Sequence, residues 1–246
     1  VVPARNVVPL PASMPVELGA LVEPLAVSVH AVRRAGVQSG DRVLVAGGGP
    51  IGQSVVLALQ MIGVRHIAVT ELSASRRDLV GRLGAAALDA AGDDVIERIH
   101  GALGGPADVA IDAVGIGPTL RTSLQATRLG GTVCLVGMGA PQLQLDAFLV
   151  STEERTIVGS FTYAAQDFRD AAAWIGQAPP QAAELISKTV PLSAGHDAFA
   201  ELAAHADIPG KVLVRVDDHD ASDPAFDMAL AHQAVAHQAL AQEEQR

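Results

Sequence analysis

The sequence contains a single cysteine, Cys134, and aromatic residues make up only 3% of its 246 residues. One cysteine excludes a disulfide framework and any cysteine-clustered zinc site that this chain alone would build. The scarcity of aromatic residues indicates a core of Ala, Val, Leu and Ile. Apolar runs such as residues 55–62 are shorter than the ~20 residues that a membrane-spanning helix requires. No membrane segment is therefore expected, and these runs are interpreted as buried strands and helices.

The chain also lacks a surplus of basic residues. Its 17 basic residues are outnumbered by 27 acidic residues, so the formal net charge is −10. A nucleic-acid or anionic-membrane partner is therefore not expected, because no basic excess is available to neutralise phosphates. The chain starts at Val1 with neither an initiator Met nor a signal-like segment. A processed or partial chain and a cytoplasmic location are the expectations.

From residue 40 onward, short apolar runs alternate with helical patterns. Strands of four to six residues that alternate with helices of ten to thirteen residues predict parallel βαβ units. The fold class is therefore α/β, a Rossmann doubly wound parallel sheet of six strands. The predicted strands are 42–46, 66–70, 86–88, 108–112, 131–136 and 156–160, and the predicted helices between them are 50–62, 73–83 (with Ser73 as N-cap), 93–102 and 117–128.

The flanking segments do not continue this rhythm. The proline-studded start predicts irregular chain or an edge strand, followed by a helix over 24–37. Residues 161–217 read as the edge of another unit, with helices at 166–176 and 193–204 and a strand at 211–216. Residues 218–246 form an acidic arm, rich in Ala and Gln, with a predicted helix that is either solvated or packed on a second subunit.

A glycine-rich turn follows the first predicted strand. Residues 47–52 match the pattern G-x-G-x-x-G between a strand and a helix, which is typical of dinucleotide binding. Gly47 permits the tight turn, Gly49 lets the backbone approach a pyrophosphate, and Gly52 allows close packing of helix and strand. Pro50 opens the helix, whose N-terminal N–H groups attract the anion. NAD is the predicted cofactor.

Glu71 lies at the end of the second strand, 19 residues after Gly52. An acid at this place is expected to accept hydrogen bonds from the adenosine ribose. Its charge would repel the 2′-phosphate of NADP by about 4 kcal/mol at ~4 Å, so NAD is favoured. Arg76 and Arg77 favour the opposite choice, because a nearby Arg can hold that phosphate. Arg77 is interpreted as a solvated helix residue, whereas Arg76 either stacks on adenine or pairs with Glu71.

Three further segments follow the fourth, fifth and sixth strands. Ligands of such sheets bind at the carboxyl ends of the strands, so these segments are expected to face the nicotinamide half of the cofactor. Each could equally be ordinary strand-to-loop packing. The segments are Ala113-Val114-Gly115, Val136-Gly137-Met138 and Phe161-Thr162-Tyr163.

A set of segments spread over residues 3–217 resembles the zinc-type medium-chain dehydrogenase/reductase family. The sequence is most similar in style to the sorbitol, butanediol and threonine dehydrogenase branch. The segments that carry this resemblance are Glu23–Ala26 with His30 and Ala31, Gly40–Val45, Gly47–Gly52, Glu71–Arg76, Gly130–Val133, Gly159–Phe161 and Gly210–Val212.

The resemblance implies roles for individual residues. Glu23 would lie beside the catalytic metal, as a ligand or holding its bound water, and Tyr163 would lie near the substrate. Polyol-active members often carry Arg where Thr162 stands, which disfavours a sorbitol-like substrate. The residues implied to line the NAD cleft are Ile51, Glu71, Arg76, Val136, Gly137, Met138, Phe161 and Thr162.

The resemblance also implies how the chain is divided. Residues 26–177 would be the NAD-binding domain, and residues 1–25 with 178–217 the remnant of a catalytic, GroES-like domain. In the family, the first lobe supplies the Cys and His zinc ligands, a Gly-His-Glu segment and a proton-relay hydroxyl. This sequence enters the family pattern after those features. Cys134 is interpreted as buried core, and the histidines show no ligand spacing.

Three functions remain open at this point. The first is an NAD-dependent, zinc-assisted dehydrogenase acting on an alcohol or carbonyl substrate, incomplete for catalysis as this chain stands. The second is a non-catalytic NAD(H)-binding protein or degenerate dehydrogenase with a regulatory or assembly role. The third is a zinc-free reductase that polarises a carbonyl with Tyr163 or Thr162. The family resemblance implies a homo-oligomer, a dimer or a tetramer.

Overall fold

The computed structural model describes residues 2–204 and 207–216. The arm predicted over residues 218–246 lies outside these described residues. The described residues divide into two units, one formed by residues 2–188 and 207–213 and the other by residues 189–204 and 214–216. In the described part of the chain, no helix is both long enough and apolar enough to cross a membrane.

Six parallel strands form the central sheet of the first unit, which confirms the Rossmann prediction. Their order is β3-β2-β1-β4-β5-β6, so the direction of the connections reverses between β1 and β4. Ligands of such folds bind at this reversal, outside the carboxyl ends of the strands. The strands are β1 (Arg42–Ala46), β2 (His66–Glu71), β3 (Ala86–Asp89), β4 (Ala107–Asp112), β5 (Thr127–Leu135) and β6 (Thr156–Gly159). Two more strands, β7 (Ile186–Pro191) and β8 (Lys211–Arg215), make a separate two-stranded sheet.

The helices follow the predicted alternation. Ser73 is the N-cap of α4, where its hydroxyl accepts from the Arg76 backbone N–H at 3.3 Å. Helix α5 ends at Gly104, whose left-handed φ of +73° is the usual glycine cap. The α-helices of the first unit are α1 (Val16–Gly19), α2 (Val22–Arg34), α3 (Pro50–Met61), α4 (Ala74–Arg82), α5 (Val95–Leu103), α6 (Gly117–Ala126), α7 (Phe148–Ser151), α8 (Ala165–Ile175) and α9 (Pro180–Glu184), and the second unit holds α10 (Gly195–Ala203).

The structure differs most from the sequence-based predictions at three places. The helix predicted over 24–37 is α2, which begins at Val22 and ends at Arg34. The helix predicted over 117–128 ends at Ala126, and β5 begins at Thr127 rather than at residue 131. The side chain of Arg155 donates two hydrogen bonds to the Thr127 carbonyl, and this distant partner favours extended chain there. At the start of the chain, the structure places a short 3-10 turn at Ala4–Asn6 and α1 where irregular chain or an edge strand was expected.

Apolar side chains pack on both faces of the sheet. Along β1, Val43 and Val45 join the cluster that contains residues of α2 and α3, whereas Leu44 joins the cluster of α5 and α6. This alternation is the period of two that a strand imposes on its side chains. Cys134 is fully buried in the first cluster, as predicted, and burial raises the pKa of its thiol to about 11.

A polar link connects α2 to α8. The Asp167 carboxylate accepts from His30 Nδ1 at 2.7 Å and from Arg33 at 2.5 Å, and Arg33 also donates to Asp170 at 2.6 Å. The Asp167 side chain is only 4% exposed. Burial alone would raise its pKa, but hydrogen bonds from the Ala164 backbone, Arg33 and His30 outweigh burial and lower the pKa. The ionised carboxylate therefore stabilises the fold.

We expect Asp167→Asn to lower the free energy of unfolding by about 2 kcal/mol at pH 7, because charge-assisted hydrogen bonds are lost. Since folding lowers the pKa of Asp167, its contribution is present above the unfolded value of about 3.9 and disappears as the pH falls through the folded value. Urea denaturation at pH 7 and pH 3 measures this difference. Asp170→Asn, at a more exposed carboxylate, is the control and should lose less than about 1 kcal/mol. An equal loss for Asp167→Asn at both pH values would contradict the assignment.

Candidate functional site

A glycine-rich turn connects β1 to α3 at the carboxyl end of the sheet. The backbone N–H of Gly47 donates to the Thr70 carbonyl at 2.8 Å, which continues the pairing of β1 with β2. Gly47 has a φ of +98°, a conformation that residues with a side chain rarely adopt. Helix α3 then begins at Pro50, where a missing N–H costs nothing.

Steric contacts explain two of the three glycines in this turn. A Cβ on Gly47 would lie 2.4 Å from a methyl group of Val114, and a Cβ on Gly52 would lie 1.9 Å from the Gly47 carbonyl oxygen. A Cβ on Gly49 would meet only the Arg76 guanidinium, at 3.9 Å. Gly47 and Gly52 are therefore required by packing inside the protein, whereas Gly49 leaves the outer side of the turn open to a ligand.

The Glu71 carboxylate connects the end of β2 to this turn. One oxygen accepts from the backbone N–H of Gly48 at 2.8 Å, and the other accepts from the backbone N–H of Ser73 at 2.9 Å. The Arg76 guanidinium lies 4.0 Å from the first oxygen. This distance is at the outer range of an ion pair with Glu71, and stacking of Arg76 on adenine stays a prediction. The carboxylate is thus oriented by the backbone on both sides of the turn.

Arg77 is not the solvated helix residue that the sequence suggested. It donates to the carbonyls of Glu71 at 2.9 Å and Leu72 at 2.6 Å, and it lies 3.5 Å from Asp89. Its side chain is only 23% exposed. Because carbonyls at a strand end attract a planar guanidinium with several donors, Arg77 fastens the β2–α4 connection.

Asp112, at the end of β4, is a site residue that sequence reasoning missed. Its fully buried carboxylate accepts from the backbone N–H groups of Val114 at 3.0 Å and Gly115 at 2.9 Å, and from the Thr119 hydroxyl at 2.9 Å. Burial raises the pKa of Asp112, and these three hydrogen bonds offset part of the increase. Asp112 therefore positions the loop that carries Val114. The only feature of the sequence that could have indicated Asp112 is its place as an acid at the end of a predicted strand.

A cavity of about 400 Å³ opens beside the glycine-rich turn. It brings together Gly47, Glu71, Arg76 and Val114, four residues that the sequence had assigned to the cofactor. Its remaining walls come from the ends of β2 and β3 and from the starts of α5 and α6, which sequence reasoning did not assign. Those additional residues are Thr70, Leu72, Ala90, Val95, Ile116, Pro118, Thr119 and Thr122.

The remaining predicted cofactor residues lie outside this cavity but at the same end of the sheet. The loops after β4 and β5 are joined, because Gly137 N–H donates to the Asp112 carbonyl at 2.9 Å and Gly139 N–H to that of Val114 at 2.9 Å. Val136, Gly137 and Met138 follow β5, and Met138 is 79% exposed. Gly49, Pro50, Ile51 and Gly52 belong to the turn and the start of α3.

The segment after β6 has an unusual backbone. Thr162 has a φ of +54°, and a β-branched residue in the left-handed region is a genuine outlier. Phe161 is 72% exposed, whereas the Tyr163 ring is half-buried and lies 5.6 Å from the ring of Phe168. Conformations of this kind concentrate at functional sites, where the surrounding structure maintains them.

Glu23 lies in the first turn of α2 with an exposed side chain. Across residues 2–204 and 207–216, no group of three His, Cys, Asp or Glu side chains is arranged so that it could hold a metal ion. A catalytic zinc requires about three protein ligands. The donor set of the described residues therefore does not fit zinc without further ligands.

A doubly wound sheet with a glycine-rich turn and an acid at the end of β2 defines a protein of the Rossmann dinucleotide-binding class. The model of one family, described as zinc-binding dehydrogenase, matches residues 50–177. The chain belongs to the zinc-binding dehydrogenase family.

Individual relatives agree with this family. Sorbitol dehydrogenase of Bos taurus is 32% identical over 215 residues, which are 86% of this chain and 60% of the relative. The crystal structure of 2R,3R-butanediol dehydrogenase from Bacillus subtilis superposes with a TM-score of 0.77 at 32% identity and covers 85% of this chain and 60% of that one. A putative zinc-binding dehydrogenase from Sinorhizobium meliloti 1021, bound to NADP, has a TM-score of 0.75 at 29% identity, with 84% and 61% coverage. The chain thus spans about 60% of the length of these relatives.

We expect Gly52→Ala to lower the free energy of unfolding by about 3 kcal/mol, because the added methyl group would overlap a backbone oxygen that cannot move away. Gly81→Ala is the matched control, since Gly81 lies in α4 and a Cβ there meets nothing within 4 Å. That variant should gain about 0.5–1 kcal/mol from the better helix former. Urea denaturation followed by circular dichroism compares the two. Equal stability of both variants would contradict the packing argument.

Proposed function

We propose that this chain is the NAD-binding part of a zinc-type alcohol dehydrogenase, an oxidoreductase that transfers hydride between NAD(H) and an alcohol or carbonyl substrate. In this proposal, residues 26–177 are the cofactor domain, and residues 1–25 with 178–217 belong to the catalytic, GroES-like domain. The observation that carries the proposal is the Glu71 carboxylate, which is hydrogen-bonded to the Gly48 backbone at the point where the sheet reverses.

The pyrophosphate and the adenosine half of the cofactor would bind beside the glycine-rich turn. The open outer side of Gly49 and the first N–H groups of α3 would receive the pyrophosphate. Glu71 would accept from the adenosine ribose, and the cavity between Leu72 and Ile116 would take the adenine. When bound, the cofactor supplies the carbon that gives or accepts the hydride. Asp112 would keep the Val114 loop in place against it.

The nicotinamide half would lie against the loops after β5 and β6. Val136, Gly137, Met138, Phe161 and Thr162 are the proposed contacts there, and Ile51 faces the same cleft from α3. Two observations support this assignment: Met138 and Phe161 are large apolar side chains left exposed at the carboxyl end of the sheet, and Thr162 has a strained backbone. Tyr163 is the proposed substrate neighbour.

We propose NAD rather than NADP as the natural cofactor. The Glu71 carboxylate occupies the ribose end of the site, and Arg77 is committed to backbone carbonyls. Both features disfavour a 2′-phosphate. A relative at 29% identity is bound to NADP, so family membership alone does not decide the choice.

Zinc binding would require ligands beyond the described residues. Glu23 is the one residue for which we propose a place beside the metal, as a ligand or holding its water. The donor set of the described residues does not fit zinc on its own. A small-molecule alcohol or carbonyl substrate, a homo-oligomer, a cytoplasmic location and the absence of a nucleic-acid partner stay predictions.

We expect the 246-residue chain to bind NADH and Glu71→Ala to weaken that binding about 10- to 100-fold, because hydrogen bonds to a charged acceptor are lost. NADPH binding should fall less, so the preference between the two cofactors should narrow. Fluorescence titration with both nucleotides measures this. Glu97→Ala, at an exposed residue of α5, is the control and should bind as the parent does. An unchanged preference in Glu71→Ala would overturn the ribose assignment.

We expect this chain, supplied with NAD, zinc and a panel of secondary alcohols, to form almost no NADH. The physical reason is that the described residues bring no three metal ligands together. Absorbance at the NADH band measures turnover, with a full-length sorbitol dehydrogenase as positive control. Strong turnover would show that the catalytic groups are already present here. Turnover that persists without added zinc would favour the zinc-free reductase with Tyr163 or Thr162. NADH binding without turnover is expected both for a partial enzyme and for a non-catalytic NAD(H)-binding protein.

A further inference from the structure

The segment Asp207–Gly210 lies against the ribose end of the proposed cofactor site. One Asp207 carboxylate oxygen accepts from the Ser73 hydroxyl at 2.9 Å and from the Ser75 hydroxyl at 2.5 Å. Ser73 is also the residue whose backbone N–H binds Glu71, at 2.9 Å. Ser73 therefore contacts both the Asp207 and the Glu71 carboxylates, although Asp207 lies more than 130 residues further along the chain.

Hydrogen bonds within the first unit hold the backbone at the C-terminal end of this segment. The buried amide of Gln53 donates to the carbonyl of Gly48 at 2.8 Å and to that of Pro209 at 2.6 Å, so it joins the segment to the glycine-rich turn. Gly210 N–H donates to the Ser187 hydroxyl at 2.8 Å, and the next N–H donates to the Leu185 carbonyl at 2.7 Å. These anchors fix the backbone only a few residues from Asp207.

We propose that Asp207 is a second determinant of cofactor specificity, which acts with Glu71 to select NAD(H) against NADP(H). The inference rests on the proposed function, since it concerns the ribose end of the same site. A 2′-phosphate is bound by hydroxyl and guanidinium donors. At the start of α4, both serine hydroxyls already donate to the Asp207 carboxylate.

The charge of the site supports the same conclusion. Hydrogen bonds from Ser75 and Ser73, together with the positive charge of Arg76, lower the pKa of Asp207 and keep it ionised at neutral pH. Arg76 also lies 4.0 Å from Glu71. The cation that could neutralise a 2′-phosphate is thus already shared between two carboxylates. A 2′-phosphate carries about two negative charges and would be repelled by both carboxylates.

A purely structural role for Asp207 would give a different result in binding and stability measurements. Ser73 is the N-cap of α4, and Asp207 could serve only to orient its hydroxyl. Loss of that support would lower the stability and weaken both cofactors to the same degree. A specificity role instead increases NADPH affinity when the charge is removed, while NADH affinity stays close to that of the parent.

The test compares Asp207→Asn and Asp207→Ala with the parent chain by fluorescence titration with NADH and NADPH. Asn keeps an oxygen that can accept from the serines and removes only the charge. We expect NADPH affinity to rise about three- to tenfold at low salt and this gain to shrink at high salt, because exposed charges are screened. NADH affinity should change by less than about twofold.

Asp78→Asn is the matched control, because Asp78 is an exposed acid on the same helix and the substitution makes the same change in net charge. It should leave the ratio of the two affinities as in the parent. An equal gain in Asp78→Asn, an unchanged ratio in Asp207→Asn, or a parallel loss of both cofactors would each overturn the proposal for Asp207 alone. Failure of the parent chain to bind NADH would instead overturn the proposed function, and this inference with it.

Discussion

The hydrogen bond from the Gly48 backbone to the Glu71 carboxylate is the contact on which the candidate site depends. It forms because β1 and β2 are neighbours in register, with Ala46 opposite Thr70, so both strands end at the same height. The same carboxylate orients the start of α4 through Ser73. Without this bond, the turn would still be joined to β2 through the Gly47 N–H, but the Gly48 N–H would lose its acceptor at the end of that strand.

The other loops at this end of the sheet are held in a similar way. A buried carboxylate, Asp112, gathers the N–H groups after β4, and the carbonyl of the same residue accepts from the loop after β5. Each loop is therefore fixed by an acceptor at a strand end rather than by its own sequence. This is why a site made of glycines and small apolar residues can keep a definite shape in a chain with so few aromatic side chains.

The parallel six-stranded sheet and the glycine-rich turn could be predicted because each depends on local pattern: short apolar runs, helices between them, and glycine spacing. The boundary at Thr127 could not, because the carbonyl of that residue is bound by Arg155, which is distant in sequence. The same reason applies to the site. Glu71 follows from its distance to the turn, whereas the contacts of Arg77 and Asp207 depend on the tertiary fold. Periodicity carries no signal for a partner more than 100 residues away, such as Asp207.

The three carboxylates of the site differ in environment, and this difference separates their roles. The Asp112 carboxylate is fully buried, which raises its pKa, and it accepts from backbone N–H groups and the Thr119 hydroxyl, so it contributes to the fold. The pKa of Asp207 is lowered by hydroxyl donors and a nearby Arg at the surface, where a ligand can compete for the same donors. The environment of Glu71 is intermediate, because its carboxylate accepts from the backbone and also lines the cavity. We therefore expect a change of cofactor preference in this protein to be easiest at Asp207, because that charge can be altered without removing a hydrogen bond that holds the glycine turn.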